Sequence, residues 1–369
     1  MFASVLLFTW VIYAFIITRF LKKQLTKGVE HLVKEDPVLA EKNDPFRRKD
    51  IAKWNHLEMY FCAVFLLPFR LILFTSATAL CAALVKVCLI GKKFGDDVSF
   101  IRKLLIKTVC QILARTCLFA LGFHWIKTVH TEITAHSPTY PRVNALKNQN
   151  RPAPLILSNH VSWVDIFIYM TSLECPGFLA KSDVADYPLV GTIAKGLQAI
   201  FVQRESKENR DDVVIKLKQR IKKFEEDPVT TSQVLIFPEG TTTNGEYIIS
   251  FKKGAFTNLT PLKLYGVRYE SKTYSPAFDS LGIGLSFLFT LCQLHNPVTR
   301  YDLGVFYPDH LKLKSEDDWQ VYANSVKEVY VNLLGLKSSD LGFSDKMTYY
   351  KTLVPQKKKR PQQPEKKTD

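Results

Sequence analysis

A chain of 369 residues that is 47% hydrophobic and 12% aromatic holds ample apolar material for a core, which excludes disorder of the whole chain. Its 50 Lys and Arg against 35 Asp and Glu give a net charge of +15, pointing to an anionic partner: nucleic acid, a phospholipid surface or a phosphorylated small molecule. Seven cysteines with no Cys-x-x-Cys pair speak against a disulfide framework or a tetrahedral zinc site. Five of them (Cys62, Cys81, Cys88, Cys110, Cys117) lie in or beside apolar stretches as small hydrophobes, which fits a reducing, cytosol-facing environment.

Met1 to Thr18 contains no charged residue and falls within the roughly 17 to 25 residues of a membrane-spanning helix. An anchor over residues 1–33 fits better than a cleaved signal peptide, since no small-x-small site precedes Arg19, Lys22 and Lys23. Those basic residues place the downstream side in the cytosol by the positive-inside rule. Residues 34–58 are polar, carry two Asp-Pro steps and read as a connector. Within residues 59–126, the apolar stretch Met59 to Val85 is broken by Pro68 and Arg70, so it is either one tilted span or a hairpin within one leaflet. Thr108 to Ile126 carries Arg115 among leucines and phenylalanines and reads as an interfacial helix or as a buried one.

From Pro152 the pattern changes. Short apolar runs at 155–157, 178–180, 200–202 and 234–237 are expected to be buried strands, separated by segments long enough for helices. Val214, Leu217, Ile221 and Phe224 recur at helical spacing among lysines, and a last amphipathic helix is expected over 319–334. The expected fold is therefore α/β: a mixed, largely parallel sheet flanked by helices over 127–345, behind N-terminal membrane-anchoring helices. Residues 346–369 are expected to be a basic, disordered tail whose end, Lys366-Lys367-Thr368-Asp369, resembles a dilysine retrieval signal of the endoplasmic reticulum.

The most informative stretch is Ser158-Asn159-His160-Val161-Ser162-Trp163-Val164-Asp165, where an apolar strand meets a polar turn and a helix. His160 can act as a general base, with Asp165 holding its tautomer. On one continuous helix, residues five apart point about 140° away from each other, so the two meet only if His160 lies in the turn before the helix. The competing reading makes Ser162 and Asp165 a capping box and His160 a surface residue. Phe237-Pro238-Glu239-Gly240-Thr241 follows another strand in a loop able to expose backbone N–H groups, and Glu239 adds a carboxylate. A third strand, Ala199-Ile200-Phe201-Val202-Gln203-Arg204, delivers Arg204 to the same end of the sheet, where a guanidinium could clamp a phosphate.

In order and spacing these motifs resemble the glycerolipid acyltransferases, and most of all the lysophosphatidylcholine and lysophosphatidylethanolamine acyltransferases. The closer likeness includes Gly122-Phe123-His124-Trp125, Phe251-Lys252-Lys253-Gly254-Ala255-Phe256 and Leu291-Cys292-Gln293-Leu294-His295-Asn296. The resemblance implies that His160 deprotonates a lysophospholipid hydroxyl, which attacks the thioester of acyl-coenzyme A, while Asp165 orients His160. It implies that Asn159, Arg204, Glu239, Gly240 and Thr241 position the acceptor. No metal and no bound cofactor are expected, with acyl-CoA serving as cosubstrate. Membrane lipid is the expected surface, nucleic acid is not an expected partner, and the expected site of action is the endoplasmic reticulum membrane with the catalytic domain facing the cytosol.

Two departures matter. Many members acting on lysophosphatidate carry Arg after Phe-Pro-Glu-Gly-Thr, where this chain has Thr242. The fourth motif usually places Pro before an apolar strand, where this chain has Leu264. An acyltransferase acting on glycerol 3-phosphate or lysophosphatidate is the alternative within the enzyme class, and a catalytically silent membrane scaffold the alternative outside it. His124 and His295 are expected as packed residues, and the sequon Asn258-Leu259-Thr260 would be used only in a luminal domain.

Overall fold

A computed structural model describes residues 2–131, 133, 152–203 and 208–353; Arg204 and the dilysine tail lie outside them. Helices α1 (Phe2–Lys23), α2 (Glu30–Val33), α3 (Pro37–Lys42), α4 (His56–Phe65), α5 (Leu67–Cys88) and α6 (Phe100–Ala120) precede the sheet. Then come β1 (Ile126–His130), β2 (Leu155–Ser158), α7 (Asp165–Met170), β3 (Gly177–Lys181), α8 (Val190–Gly196), β4 (Ile200–Val202), α9 (Glu208–Glu226) and β5 (Val234–Ile236). The chain continues through β6 (Tyr247–Ile248), β7 (Leu262–Tyr269), α10 (Ile283–Leu291), β8 (Val298–Phe306), α11 (Trp319–Leu334), β9 (Lys337–Ser338) and α12 (Phe343–Leu353).

Seven strands form one sheet in the order β1-β8-β7-β2-β5-β3-β4, and β7–β8 is its antiparallel pair. The fold is thus the expected mixed, largely parallel sheet flanked by helices. The continuous apolar runs Leu155-Ile156-Leu157 and Val234-Leu235-Ile236 put β2 and β5 at the centre, because such strands must be covered on both faces. On one face Leu155, Leu157, Val234 and Ile236 pack with Leu217 and Ile221 of α9 and Val326 and Tyr330 of α11. On the other, Ile156 and Leu235 pack with Val85 of α5, Ile106 of α6 and Tyr169 of α7. Each fully buried aliphatic side chain contributes about 1.5–3 kcal/mol of transfer free energy. α8 approaches α5 so closely that a Cβ on Gly196 would lie 2.3 Å from Val85 Cγ1.

The apolar N-terminal third behaves differently. α1 and α5 are long and apolar enough to cross a membrane by length and composition, and Phe8, Ile72 and Ile101 are 64–68% exposed. Met59 to Val85 falls on two helices, of which α5 is the one long and apolar enough to span a membrane. Helix α4 breaks at Leu66 alone, and Pro68 sits in the first turn of α5, where its missing N–H has no intrahelical partner to lose. Arg70 fixes that break to the domain by donating to the carbonyls of Leu291 at 2.8 Å and Leu294 at 3.2 Å, and to that of Gln293. The reversal comes later, between Cys88 and Phe100: Thr78 meets Cys117 and Cys81 meets Cys110, so α5 and α6 run antiparallel. Arg115 is satisfied by the carbonyls of Phe123 and His124.

Residues 34–58 pack onto the domain rather than hanging free of it. Phe46 and Trp54 are buried, and the buried Arg48 pairs with Asp50 at 2.6 Å and Asp279 at 3.4 Å. Asn244, in the loop that follows β5, donates to the carbonyls of Asp44 at 2.7 Å and Pro45 at 2.8 Å.

Candidate active site

Parallel pairing of β2 with β5 brings both strand ends to one edge of the sheet, so the His160 turn and the Glu239 loop are neighbours. Asp165 is the first residue of α7 and His160 lies in the turn before it, the geometry that allows residues five apart to meet. His160 Nδ1 is 2.8 Å from Asp165 Oδ2. The same oxygen accepts the N–H groups of Val161 at 2.8 Å and Ser162 at 2.9 Å. The helix is capped at Val164 with no side-chain bond, so the capping box is not formed; one oxygen of Asp165 instead closes the turn and holds the imidazole.

A carboxylate oxygen only accepts, so Nδ1 carries the proton and Nε2 is left as the basic nitrogen. Asp165 is fully buried, whereas 18% of the His160 side chain is exposed. The imidazole stacks on Phe237, with centroids 3.8 Å apart and planes 10° from parallel, which fixes the ring's orientation. From the far side the hydroxyl of Tyr269, at the end of β7, donates to Asp165 Oδ1. Burial, followed by the neighbouring Asp165 charge, raises the Tyr269 pKa well above 10 and keeps it a donor.

Asn159 and Glu239, expected among the acceptor contacts, face inward instead. The Asn159 amide donates to Val267 O at 3.0 Å and accepts from Val267 N at 2.8 Å, so it serves as an extra rung joining β2 to β7. Glu239 is wholly buried; one oxygen accepts His160 N at 2.8 Å and the other Ile249 N at 3.1 Å. Both side chains have their polar atoms committed to backbone, because a buried amide or carboxyl without partners is costly. Burial pushes the Glu239 carboxyl up to about 8, against the opposing pull of its two amide donors. Gly240 has φ +69 and donates its N–H to Phe237 O at 3.0 Å, a left-handed turn that glycine adopts without strain. Thr241 follows, half-buried.

The sequence did not point to Tyr269, to the stack on Phe237, or to Lys346. Residues 346–353 belong to helix α12 rather than to the expected disordered tail, and Lys346 there is buried, donating to Thr242 O at 2.8 Å, Thr242 Oγ1 at 2.6 Å and Phe278 O at 2.8 Å. Burial lowers its pKa to about 8. The strand-end position of Tyr269 was a usable signal; Lys346, 104 residues from Thr242, offered none. Other candidates stand apart from this constellation. His124 and His295 stack on each other at 5.5 Å and are exposed rather than packed inside, and Asn258 Nδ2 is buried, which unfits it for glycosylation.

Residues 141–267 match the family model described as Acyltransferase. The chain is similar to the lysophospholipid acyltransferase LPEAT1 of Arabidopsis thaliana, 35% identical over 259 residues that cover 66% of this chain and 62% of the relative. It is also similar to a lysophosphatidylcholine acyltransferase of Drosophila melanogaster, 34% identical over 196 residues, 52% of this chain and 35% of the relative. A looser likeness, at 17% identity and a TM-score of 0.43, covers 74% of this chain and 100% of the solved 1-acyl-sn-glycerophosphate acyltransferase of Thermotoga maritima. The chain thus spans between about a third and two thirds of the length of these two curated relatives. His160, Asp165 and Glu239 all fall inside the matched stretch: the chain carries a domain of the Acyltransferase family.

Proposed function

We propose that the chain is a membrane-bound enzyme that moves an acyl group from acyl-CoA to the free hydroxyl of a lysophospholipid. The observation that carries this reading is the 2.8 Å contact between His160 Nδ1 and the buried Asp165, at the mouth of the strand edge. His160 Nε2 takes the proton of the acceptor hydroxyl as its oxygen attacks the thioester carbonyl; the carbon–sulfur bond then breaks, and the imidazolium returns the proton to the coenzyme A thiolate. Asp165 steadies the imidazolium. Glu239 acts through His160, gripping its backbone N–H and so setting the position of the turn. Phe74 of α5, Trp163 and Phe287 of α10 form a run of ring contacts at 5.2 and 5.6 Å beside the turn, an apolar surface suited to an acyl chain.

A phosphodiester acceptor such as lysophosphatidylcholine or lysophosphatidylethanolamine is favoured over lysophosphatidate by Thr242. Its hydroxyl is turned inward to Phe278 O and Lys346, so the position where many lysophosphatidate enzymes carry Arg adds no cation to the site. Helix α1 is read as the anchor, with the exposed face of α5 against the bilayer, and Arg204 as the acceptor's phosphate clamp, with the domain on the cytosolic face of the endoplasmic reticulum. The test is acyl transfer from labelled acyl-CoA, in membranes holding wild type or His160→Ala at equal expression, to lysophospholipids of different head group. Loss of transfer in the variant supports the reading; equal transfer from both proteins leaves the scaffold.

A further inference from the structure

A cavity lies at the opposite edge of the sheet. It has a volume of about 170 Å³ and is lined by Gln198 and Thr231, which precede β4 and β5, by Phe94 and Asp96 of the α5–α6 turn, by Lys195 of α8 and by Arg220 of α9. Lys92, Lys93 and Lys223 bring the cations to five; Asp96 is the carboxylate of the lining, and Lys223 is paired with the adjacent Asp97, which leaves Lys92, Lys93, Lys195 and Arg220. Some nearby cations are held by loop carbonyls: Arg102 bonds Ile90 O, and Lys103 bonds Val229 O and Thr231 O.

The cavity's own cations do something else. Among the described residues, Lys92, Lys93 and Lys195 make no side-chain hydrogen bond and no ion pair. Half-buried Arg220 meets no carboxylate; its hydrogen bond, to Ser232 O, is stretched to 3.5 Å. Burial draws its guanidinium pKa down to about 10, the mark of a charge removed from water without a counter-ion. Phe94 in the lining is 57% exposed, and Ile90 of the turn (67%) and Ile101 in the first turn of α6 (68%) are exposed as well. Unpaired guanidinium and ammonium groups beneath an apolar rim match the boundary between phosphates and acyl chains.

We propose that this cavity binds the phosphate of an anionic phospholipid head group, docking the tip of the α5–α6 hairpin on a charged bilayer. The site is separate from His160 and does not depend on its role. Native mass spectrometry of the full-length chain, released from phosphatidylcholine nanodiscs containing a minority of phosphatidylglycerol, reads the lipid that stays bound. Wild type retains phosphatidylglycerol over phosphatidylcholine, and Arg220→Gln with Lys195→Gln weakens that preference by about 30-fold. Lys92→Gln with Lys93→Gln, in the exposed turn where folding is not at stake, moves it the same way. Acyl transfer by both variants in pure phosphatidylcholine nanodiscs stays at the wild-type level. Equal retention of the two lipids by wild type, unchanged preference in both double variants, or displacement of phosphatidylglycerol by millimolar inorganic phosphate overturns the proposal, the last by assigning the site to a soluble anion.

Discussion

Two turns at one edge of the sheet carry a carboxyl group each and use it in opposite ways. After β2, Asp165 gathers a ring nitrogen and two amides on one oxygen and a phenol on the other, leaving His160 as the partly exposed member. After β5, Glu239 turns away from the cleft and ties His160 N to Ile249 N. On the proposed function, the same functional group serves chemistry in one turn and architecture in the next. What divides them is whether an ionisable partner with an open face stands within reach.

Mutation can break that comparison at either end. His160→Ala is expected to lower acyl transfer about 10²–10⁴-fold, the usual share of a general base, with little change in melting temperature because the ring is partly exposed. Asp165→Asn comes next. It cannot accept the same four donors, so transfer should fall about 10²-fold and stability by about 1–3 kcal/mol, measured by denaturant titration.

Glu239→Gln sharpens the contrast, since it should act on stability more than on turnover. The folded-state value of about 8 lies above the carboxyl's ordinary 4.5. Its contribution to stability is thus complete below about pH 4.5 and is lost as pH rises through 8. Thermal scans from pH 5 to 8 should show wild type losing on the order of 5 °C that the Gln variant does not lose. A pH-independent difference between the two proteins would sink this account of Glu239. The smallest effect belongs to Tyr269→Phe, about 0.5–1.5 kcal/mol of stability with turnover lowered only a few-fold.

Much of this edge is legible in the sequence because it is local. Continuous apolar runs gave β2 to β5, and the 3.6-residue period gave α9 and α11. The rotation per helical residue told where His160 must lie if it meets Asp165. The other side of the sheet, β7, β8 and β1, hides because its pairings span long loops and one is antiparallel. For the same reason motif lists assign Asn159 and Glu239 to the substrate: nothing local says that Val267 and Ile249 will claim their polar atoms. The connector misleads in the opposite sense. Its Asp-Pro steps read as a linker, while Phe46, Arg48 and Trp54 inside it are buried.

The braces of the dyad also set an order of events at the ribosome. His160 is tied to Glu239, Asp165 to Tyr269 and Asn159 to Val267 across separations of 79, 104 and 108 residues. Contacts that distant form late, after the loop-closure entropy between them has been overcome. During synthesis the apolar helices emerge first and the β2–α7 turn second, with more than a hundred residues still to come before the turn is locked. The apolar helices therefore leave the ribosome before this edge of the sheet can assemble, and a nascent chain stalled before β7 would carry those helices and its histidine but no fixed pair.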